Sequence, residues 1–397
     1  MRITTCFSLL IFSFVLAFTA SPANASKVDC ININTNIKLI EELAETGQYR
    51  KLNKSSKTTQ FDYKPTRTYQ EYLTFAQRKI ANENPKAALK CPIETVVTRS
   101  LEKPTNMLTV SDLVAPFELK TNNSNKAILL VHGLTDSPYL FHDLAAFFAN
   151  AGFNVRTLLL PGHGTAPEAL TGIEYQDWQK ATEFAINRTL LDFEQVYLGG
   201  FSTGGALILD NLLTSSQALN NLKGVILWAP ASQAKSSVAW AAQIVDWVPF
   251  LDYTHKGADI DFAKYESFPL NAGAQVHDLM NLLATRLEGG SKIPDIPLLT
   301  ITTEVDSTIE TNATIGLLAK WHNATTRNTK QQDTLFYFGS SDSIASLPNS
   351  VTRTFAACRN QTYCDSILNV AHTSLTNAPT NIHYGWQGSY RNCETAF

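Results

Sequence analysis

The sequence predicts an α/β fold in which a mostly parallel central sheet is flanked by helices. From about residue 115, short runs of apolar residues alternate with segments of helical spacing. The apolar runs are continuous rather than alternating, which is typical of parallel strands buried on both faces. A helix between successive strands lets the chain cross back and extend the same sheet. The 397 residues, 44% of them hydrophobic, suffice for one large core with additions.

The strands predicted in this part of the chain are residues 127–131, 155–159, 196–198, 224–228, 297–301 and 334–338. Helices are predicted at 139–150, where Gly152 marks the end, at 177–191, and from residue 206. In open parallel sheets, ligand sites lie beyond the carboxyl ends of the strands. We therefore expect functional residues in the segments that directly follow these strands.

Residues 1–25 have the features of a signal peptide. Arg2 gives a short basic region, residues 7–18 form an apolar core too short to span a bilayer comfortably, and Ala23-Asn24-Ala25 is a processing site. A membrane anchor is the alternative, and it is disfavoured because no basic stop-transfer sequence follows. We expect an exported protein, periplasmic or extracellular, whose mature chain begins at Ser26.

Residues 26–114 are expected to form a helical extension that packs on the main domain, residues 115–397. Within the extension, apolar residues fall on one helical face in two places. The first set is Ile37, Ile40, Leu43 and Ala44, and the second is Tyr69, Tyr72, Leu73, Ala76 and Ile80. The formal net charge is −3 and no cluster of Lys or Arg occurs, so nothing indicates a nucleic-acid or anionic partner.

Five cysteines remain when Cys6 leaves with the signal peptide, and export permits disulfides. They are Cys30, Cys91, Cys358, Cys364 and Cys393. Cys358 and Cys364 are expected to close a small loop, and Cys30 with Cys91 could tie down the N-terminal segment. One cysteine is left over, and the sequence does not settle the connectivity. None of the five has metal-ligand spacing.

A serine nucleophile is indicated where the strand 196–198 meets the next helix. Residues 200–204 read Gly-Phe-Ser-Thr-Gly, which matches the pattern G-x-S-x-G with Ser202 at its centre. Small residues allow the strand and helix backbones to pass close to each other in the tight turn. The alternative interpretation is an ordinary small-residue turn, because such patterns also arise by chance.

The segment His132-Gly133-Leu134-Thr135 follows another strand end. An acyl-transfer enzyme needs preorganised N–H donors for its oxyanion, and the amides of Leu134 and Thr203 are the natural pair. His132 itself is interpreted as a structural histidine, because the acid and base normally follow the nucleophile along the chain.

Three segments together resemble the α/β-hydrolase superfamily, and within it the bacterial carboxylesterase and monoacylglycerol lipase group. They are His132-Gly133, residues 160–168 (Leu-Pro-Gly-His-Gly-Thr-Ala-Pro-Glu) and residues 200–205. The resemblance covers about residues 115–397. It implies an α/β-hydrolase fold, and it implies that His163 shapes a loop beside the site without taking part in the reaction.

The resemblance also implies an acid after a later strand. Asp306 follows strand 297–301 in a turn similar to the family's G-x-x-D-x-x-V, although Thr303 replaces the glycine. We expect Asp306 to orient the base. Asp333, which precedes its strand, and Glu304 are the alternatives. A further possibility is that Asp306 only caps the following helix.

The base is expected after strand 334–338, where His372 and His383 are the candidates. His372 precedes Thr373-Ser374, which resembles the family's histidine turn, and an insertion around 340–366 explains its long separation from Asp306. His383 lies in an aromatic loop that suggests packing or pocket lining. We expect His372 to be the base and His383 to contact substrate.

Residues 231–290 interrupt the sheet and, by resemblance, form a helical cap over the site. The segment is aromatic and apolar, and Trp240, Trp247 and Phe250 are expected to contact substrate. An apolar cap suits acyl chains, because affinity in such a pocket comes mainly from burying apolar area. An ordinary packed helix pair is the alternative, and both descriptions can hold.

The expected activity is hydrolysis of a small-molecule carboxylic ester by a Ser202-His372-Asp306 triad, as in a carboxylesterase or a monoacylglycerol lipase. No metal or organic cofactor and no protein partner is implied. A serine peptidase or amidase on the same fold is the first alternative, because triad chemistry does not choose the leaving group. A catalytically silent binding protein is the second.

Overall fold

The computed structural model describes residues 28–53, 60–215, 219–235, 252–289, 292–324, 328, 332–355, 370–385, 387, 388 and 390. The proposed signal peptide lies outside these ranges. So do three cysteines and three of the expected substrate contacts, namely Cys358, Cys364, Cys393, Trp240, Trp247 and Phe250. The structure therefore does not test the predicted Cys358–Cys364 pair or the aromatic cap contacts.

Ten strands are described. They are Glu118–Leu119 (β1), Lys126–Val131 (β2), Asn154–Leu158 (β3), Gln195–Phe201 (β4), Leu222–Trp228 (β5), Tyr253–His255 (β6), Phe268–Pro269 (β7), Leu298–Thr303 (β8), Thr334–Phe338 (β9) and Thr352–Phe355 (β10). Eight of them form one sheet in the order β1-β3-β2-β4-β5-β8-β9-β10. All its pairs are parallel except β1 with β3. Strands β6 and β7 form a separate antiparallel pair.

The described α-helices are Ile37–Thr46 (α1), Tyr69–Glu83 (α2), Val96–Arg99 (α3), Val110–Val114 (α4), His142–Asn150 (α5), Tyr175–Asp192 (α6), Thr203–Thr214 (α7), Leu270–Glu288 (α8) and Thr311–Asn323 (α9). Local capping explains where some of them begin. The Thr68 hydroxyl accepts from the Glu71 amide at 3.2 Å, and the Glu71 carboxylate accepts from the Thr68 amide at 2.7 Å, which starts α2.

The core explains why the strand sequences are continuously apolar. Leu129 and Val131 of β2 belong to one buried cluster, while Ile128 and Leu130 belong to a second. Successive side chains of a strand point to opposite faces, so both faces of the sheet are covered. This confirms the predicted α/β fold with a mostly parallel sheet flanked by helices.

Two strands of the sheet were not predicted. Strand β1 has only two residues, and β10 reads Thr-Arg-Thr-Phe, which lacks an apolar run. Both lie at the ends of the strand order among the described residues, where one side of a strand has no neighbour to bury it. Edge strands carry a weaker apolar pattern for that reason.

The N-terminal segment is joined to the last residues of β3 and to the residue that follows the strand. Tyr69 donates its hydroxyl hydrogen bond to the Thr157 carbonyl at 2.6 Å. Tyr72 donates to the Leu159 carbonyl at 3.0 Å and accepts from the Leu159 amide at 2.8 Å. Helix α2 therefore satisfies a carbonyl within β3 and both backbone groups of Leu159, which follows the strand. Cys30 and Cys91 also meet in disulfide geometry, with Cα atoms 5.0 Å apart.

Replacing Tyr72 with Phe should lower the free energy of unfolding by about 1–3 kcal/mol, because both buried backbone groups of Leu159 lose their partner. Denaturant unfolding followed by circular dichroism would measure the change. Tyr197→Phe is the matched control, since the Tyr197 hydroxyl has no hydrogen bond with the described residues. Equal stability of the two variants would contradict the proposed role of the Tyr72 hydroxyl.

Candidate active site

Ser202 lies in a tight turn between β4 and α7. Its backbone has φ 51° and ψ −118°, a left-handed conformation that is strained for serine. A Cβ on Gly204 would lie 2.0 Å from the Val131 carbonyl oxygen, and one on Gly200 would lie 2.6 Å from the Gly205 Cα. These approaches require glycine at both positions. The G-x-S-x-G pattern is thus explained by sterics as well as by its place in the fold.

Two other non-glycine residues at strand ends also have positive φ. Thr135 follows β2 with φ 67°, and Ala229 follows β5 with φ 39°. The Thr135 amide donates to His163 Nε2 at 3.1 Å, and the Ala229 amide donates to the Ile301 carbonyl at 2.8 Å. Unusual backbone conformations cluster at functional sites, where the surrounding structure holds them in place.

Asp306 and His372 form a buried hydrogen-bonded pair beyond the carboxyl end of β8. Asp306 Oδ2 lies 2.7 Å from His372 Nδ1, and Oδ1 accepts from the Thr308 and Ile309 amides at 2.8 Å each. Burial alone would raise the pKa of the Asp306 carboxyl. The hydrogen bond and charge of His372, with the two amides, more than offset burial and lower this pKa below its ordinary value.

Ser202 and His372 line one cavity of about 470 Å³. The His372 ring lies 4.9 Å from the ring of Phe201, the residue before the serine. Leu134 and Thr203 line the same cavity, and neither amide has a hydrogen-bond acceptor among the described residues. The five residues expected to provide nucleophile, acid, base and oxyanion donors are therefore either on this cavity wall or bonded to it.

His132 and His163 have other partners. His132 Nε2 accepts from the Leu160 amide at 3.1 Å, and His163 Nε2 accepts from the Thr135 amide at the same distance. Burial lowers the pKa of His132 well below its usual range and that of His163 to about 4. Both rings therefore stay neutral and can accept. This arrangement supports the interpretation that they shape the loops around the site.

The carboxylates of the two alternative acids, Glu304 and Asp333, have hydrogen-bond partners other than His372. Glu304 is exposed, and its carboxylate accepts from the Ser340 amide at 2.8 Å. Asp333 precedes β9 and its Oδ2 lies 2.9 Å from His322 Nδ1, at the opposite end of the sheet from Asp306. Among the three candidates, only Asp306 is hydrogen-bonded to His372 in the described residues.

His383 differs from its expected role. It is buried, and its Nε2 lies 2.8 Å from Asp261 Oδ1, while Tyr384 donates to Asp261 Oδ2 at 3.0 Å. Among the described residues, the wall of the Ser202 cavity does not include His383. The expectation that His383 contacts substrate is corrected on this point, because its ring is packed among aromatic side chains and pairs with a buried carboxylate.

The described part of residues 231–290 does contribute to the cavity. Phe268 lies on β7, Val276 and Met280 lie one turn apart on α8, and Lys264 lies in the loop before β7. Sequence reasoning did not single out these residues. The apolar face of α8, with its spacing of four residues, was the signal that could have identified Val276 and Met280.

Asp136 also lies on the cavity wall, and the sequence analysis did not identify it. Its side chain makes no hydrogen bond with the described residues, although the residue is only 5% exposed. Burial raises the pKa of Asp136 to about 6. Charge interactions with Lys264 and His372 lower this pKa, and the negative charge of Asp261 raises it further. A single aspartate in a loop belongs to no periodic pattern, so the sequence around Asp136 did not indicate that its side chain lies on the cavity wall.

No group of three or more His, Cys, Asp or Glu side chains in the described ranges is arranged as a metal site. In the same part of the chain, every helix is too short or too polar to cross a membrane.

Replacing His383 with Ala should destabilise the fold by about 2–5 kcal/mol, because the buried Asp261 carboxylate loses its hydrogen bond to the ring and a cavity is left among the aromatic side chains. Chemical denaturation would measure the loss. His277→Ala on the cavity wall is the control and should change stability by less than about 1 kcal/mol. A stable His383→Ala protein with altered substrate preference would contradict the structural role.

The pKa of Asp136 predicts how stability depends on pH. Its folded pKa of about 6 exceeds the ordinary 3.8, so the folded protein binds this proton more tightly than the unfolded chain does. That contribution is complete below about pH 4 and is lost as the pH rises through about 6. Asp136→Asn should therefore reduce the stability difference between pH 4 and pH 8 by about 2–3 kcal/mol.

Urea unfolding of the wild type and of Asp136→Asn at both pH values would test this. Asp342→Asn, a change at an exposed carboxylate, is the control. An undiminished pH dependence in Asp136→Asn would show that the Asp136 carboxyl does not carry the effect.

Comparison with known proteins identifies the family. The α/β hydrolase fold family matches residues 126–375, which is more than half of the chain. A thermostable monoacylglycerol lipase from Bacillus sp. (strain H-257) is 33% identical over 87 residues, covering 22% of this chain and 35% of that relative. The chain thus matches about a third of that relative's length.

Solved structures similar to this chain include one from work on LipS and LipT, two metagenome-derived lipolytic enzymes. It is 22% identical, with a TM-score of 0.45, and the match covers 60% of this chain and 92% of that one. The monoacylglycerol lipase of Paleococcus ferrophilus is 16% identical, with a TM-score of 0.42 and coverage of 56% and 87%. The match to the family over residues 126–375 is the finding that decides the assignment. The chain belongs to the α/β-hydrolase family.

Proposed function

We propose that this protein is a serine hydrolase of carboxylic esters and that Ser202, His372 and Asp306 carry out the reaction. The observation behind this proposal is the 2.7 Å hydrogen bond between Asp306 and His372 in the cavity that Ser202 lines. A serine hydroxyl needs an adjacent base, and a histidine oriented by a carboxylate supplies it. The similarity to a monoacylglycerol lipase supports the ester class.

The reaction begins when Ser202 Oγ attacks the ester carbonyl carbon and His372 Nε2 takes the hydroxyl proton. Asp306 accepts the hydrogen bond from His372 Nδ1–H, which fixes the tautomer, and its negative charge stabilises the imidazolium that forms. The amides of Leu134 and Thr203 donate to the oxyanion of the tetrahedral intermediate.

Collapse of the intermediate breaks the bond to the alcohol, which leaves with the proton from His372. Water then attacks the acyl-serine by the same route, giving its proton to His372 and releasing the carboxylic acid. Ser202 is thereby restored. The lowered pKa of Asp306 keeps its carboxylate charged at neutral pH, as both steps require.

The substrate is proposed to be a small-molecule ester with an apolar acyl group. Phe268, Val276 and Met280 provide an apolar wall to the cavity. Burying apolar surface contributes roughly 25 cal/mol per Å², so this wall favours a hydrocarbon chain over a polar one. The aromatic residues Trp240, Trp247 and Phe250 are proposed to extend this wall as part of the cap.

The protein is also proposed to be exported, with residues 1–25 removed as a signal peptide. The pairing geometry of Cys30 and Cys91 supports this proposal, because disulfides persist in oxidising compartments. Residues 26–114 would then be an N-terminal extension of the hydrolase domain, 115–397, in which residues 231–290 form the cap.

Ser202→Ala should abolish hydrolysis of p-nitrophenyl esters, with a loss of about 10³- to 10⁶-fold in turnover, because the attacking hydroxyl is gone. The measurement is initial rate across several acyl-chain lengths, and circular dichroism checks the fold. Ser307→Ala is the matched control, since Ser307 lines the same cavity and makes no hydrogen bond to the triad.

His372→Ala should lose turnover about as severely as Ser202→Ala, because the residues of a triad act as a unit. More than a tenth of wild-type activity in Ser202→Ala would remove Ser202 from the nucleophile role. Turnover of aminoacyl anilides in preference to esters would favour a peptidase or amidase. Binding of esters without any turnover would identify a silent binding protein.

A further inference from the structure

A second serine, histidine and aspartate are connected in the same way outside the Ser202 site. His322 Nδ1 lies 2.9 Å from Asp333 Oδ2, and His322 Nε2 lies 2.5 Å from Ser350 Oγ. These are the two contacts that define a nucleophile activated by an oriented base.

The fold brings these three residues together at the amino end of the sheet. His322 lies in the last turn of α9, Asp333 directly precedes β9, and Ser350 lies two residues before β10. Thr334 of β9 is in register with Thr352 of β10, so the two strands begin side by side. Asp306 follows the carboxyl end of β8 instead. The two arrangements are therefore at opposite edges of the sheet.

Hydrogen-bond directions in this second arrangement suit general-base chemistry. Asp333 Oδ1 accepts from the Leu298 amide at 2.9 Å. A carboxylate only accepts, so His322 Nδ1 carries the hydrogen that bonds to Oδ2. Nε2 then has a free lone pair and accepts from the Ser350 hydroxyl. His322 and Asp333 are buried, whereas Ser350 is exposed.

The turn that carries Ser350 is held by several hydrogen bonds. The Val351 amide donates to the Pro348 carbonyl at 3.0 Å, and the Thr352 amide donates to the Asp333 carbonyl at 3.0 Å. Arg353 donates to the carbonyls of Leu347 and Pro348. Ser350 is thus fixed against His322, as positioning for nucleophilic attack requires.

We propose that Ser350 is a second nucleophile, which accepts acyl groups from activated acyl donors such as aryl esters. Ser350 Oγ bonds to the carbonyl carbon while His322 Nε2 takes the hydroxyl proton. The bond from the carbonyl carbon to the aryl oxygen then breaks, and the phenolate leaves with the proton from His322. The products are O-acyl-Ser350 and a phenol.

The donor must be activated because Ser350 is at the surface. A buried site can use binding energy from the rest of the substrate to help a poor leaving group depart, but an exposed residue has little of that energy available. Simple alkyl esters are therefore not substrates of Ser350. This inference does not depend on the activity proposed for Ser202.

The experiment uses the full chain with Ser202→Ala, which removes the competing nucleophile. The protein is treated with p-nitrophenyl acetate, quenched in acid and mapped by peptide mass spectrometry. Ser350 should carry at least about tenfold more acetyl than Ser346, because a positioned general base contributes about 10²- to 10⁴-fold. Ser346 is the internal control, since it is exposed in the same segment and has no hydrogen bond with the described residues.

Adding His322→Gln should reduce acetylation of Ser350 to the level of Ser346, with circular dichroism as the check on folding. Adding Ser350→Ala instead leaves the buried pair intact and should remove the one fast equivalent of p-nitrophenol. Equal labelling of Ser350 and Ser346, or labelling unaffected by His322→Gln, would overturn the proposal and leave the contacts as a structural link between α9 and β10. If His322→Gln fails to fold, the Ser350 to Ser346 ratio and Ser350→Ala decide the question.

Discussion

The candidate site depends on how closely the start of α7 approaches the end of β2. A side chain at position 204 would lie within 2.0 Å of the Val131 carbonyl oxygen, so the two elements can meet only at a glycine. This approach determines where Ser202 leaves the sheet and brings the first amide of α7 to the cavity that Leu134 also lines. Without it, the nucleophile and the proposed oxyanion donors would not share one wall.

Buried polar contacts connect distant parts of the chain behind that wall. Lys86 donates to the carbonyls of Asp259 and Asp261, and burial lowers its pKa. Asp261 binds His383 near the carboxyl end of the chain, and the Tyr265 amide donates to the Thr135 carbonyl at 2.9 Å beside the cavity. Four segments far apart in sequence therefore hold each other, which fixes the loops that shape the site.

The sequence predicted the fold class and the position of each central strand, because strands buried on both faces leave a continuous apolar run. It also selected Asp306 and His372, whose order along the chain follows a known pattern. It could not predict that His383 pairs with Asp261, since the two residues are distant in sequence and no periodicity relates them. Strand β10 left no local signal because an edge strand needs no apolar run, and Asp136 left none because a single aspartate in a loop has no periodic pattern.

The positive φ angles of Thr135, Ser202 and Ala229 bear on how the protein would respond to a laboratory screen for heat resistance. Each left-handed residue costs roughly 1–3 kcal/mol. All three follow strands of the sheet, and Thr135 and Ser202 line the cavity. Glycine at any of them would relieve strain and would be favoured in a screen for heat resistance alone. Such a screen would accept a substitution at Ser202, the proposed nucleophile, as readily as one at Thr135 or Ala229, so thermal robustness would be gained there at the expense of turnover.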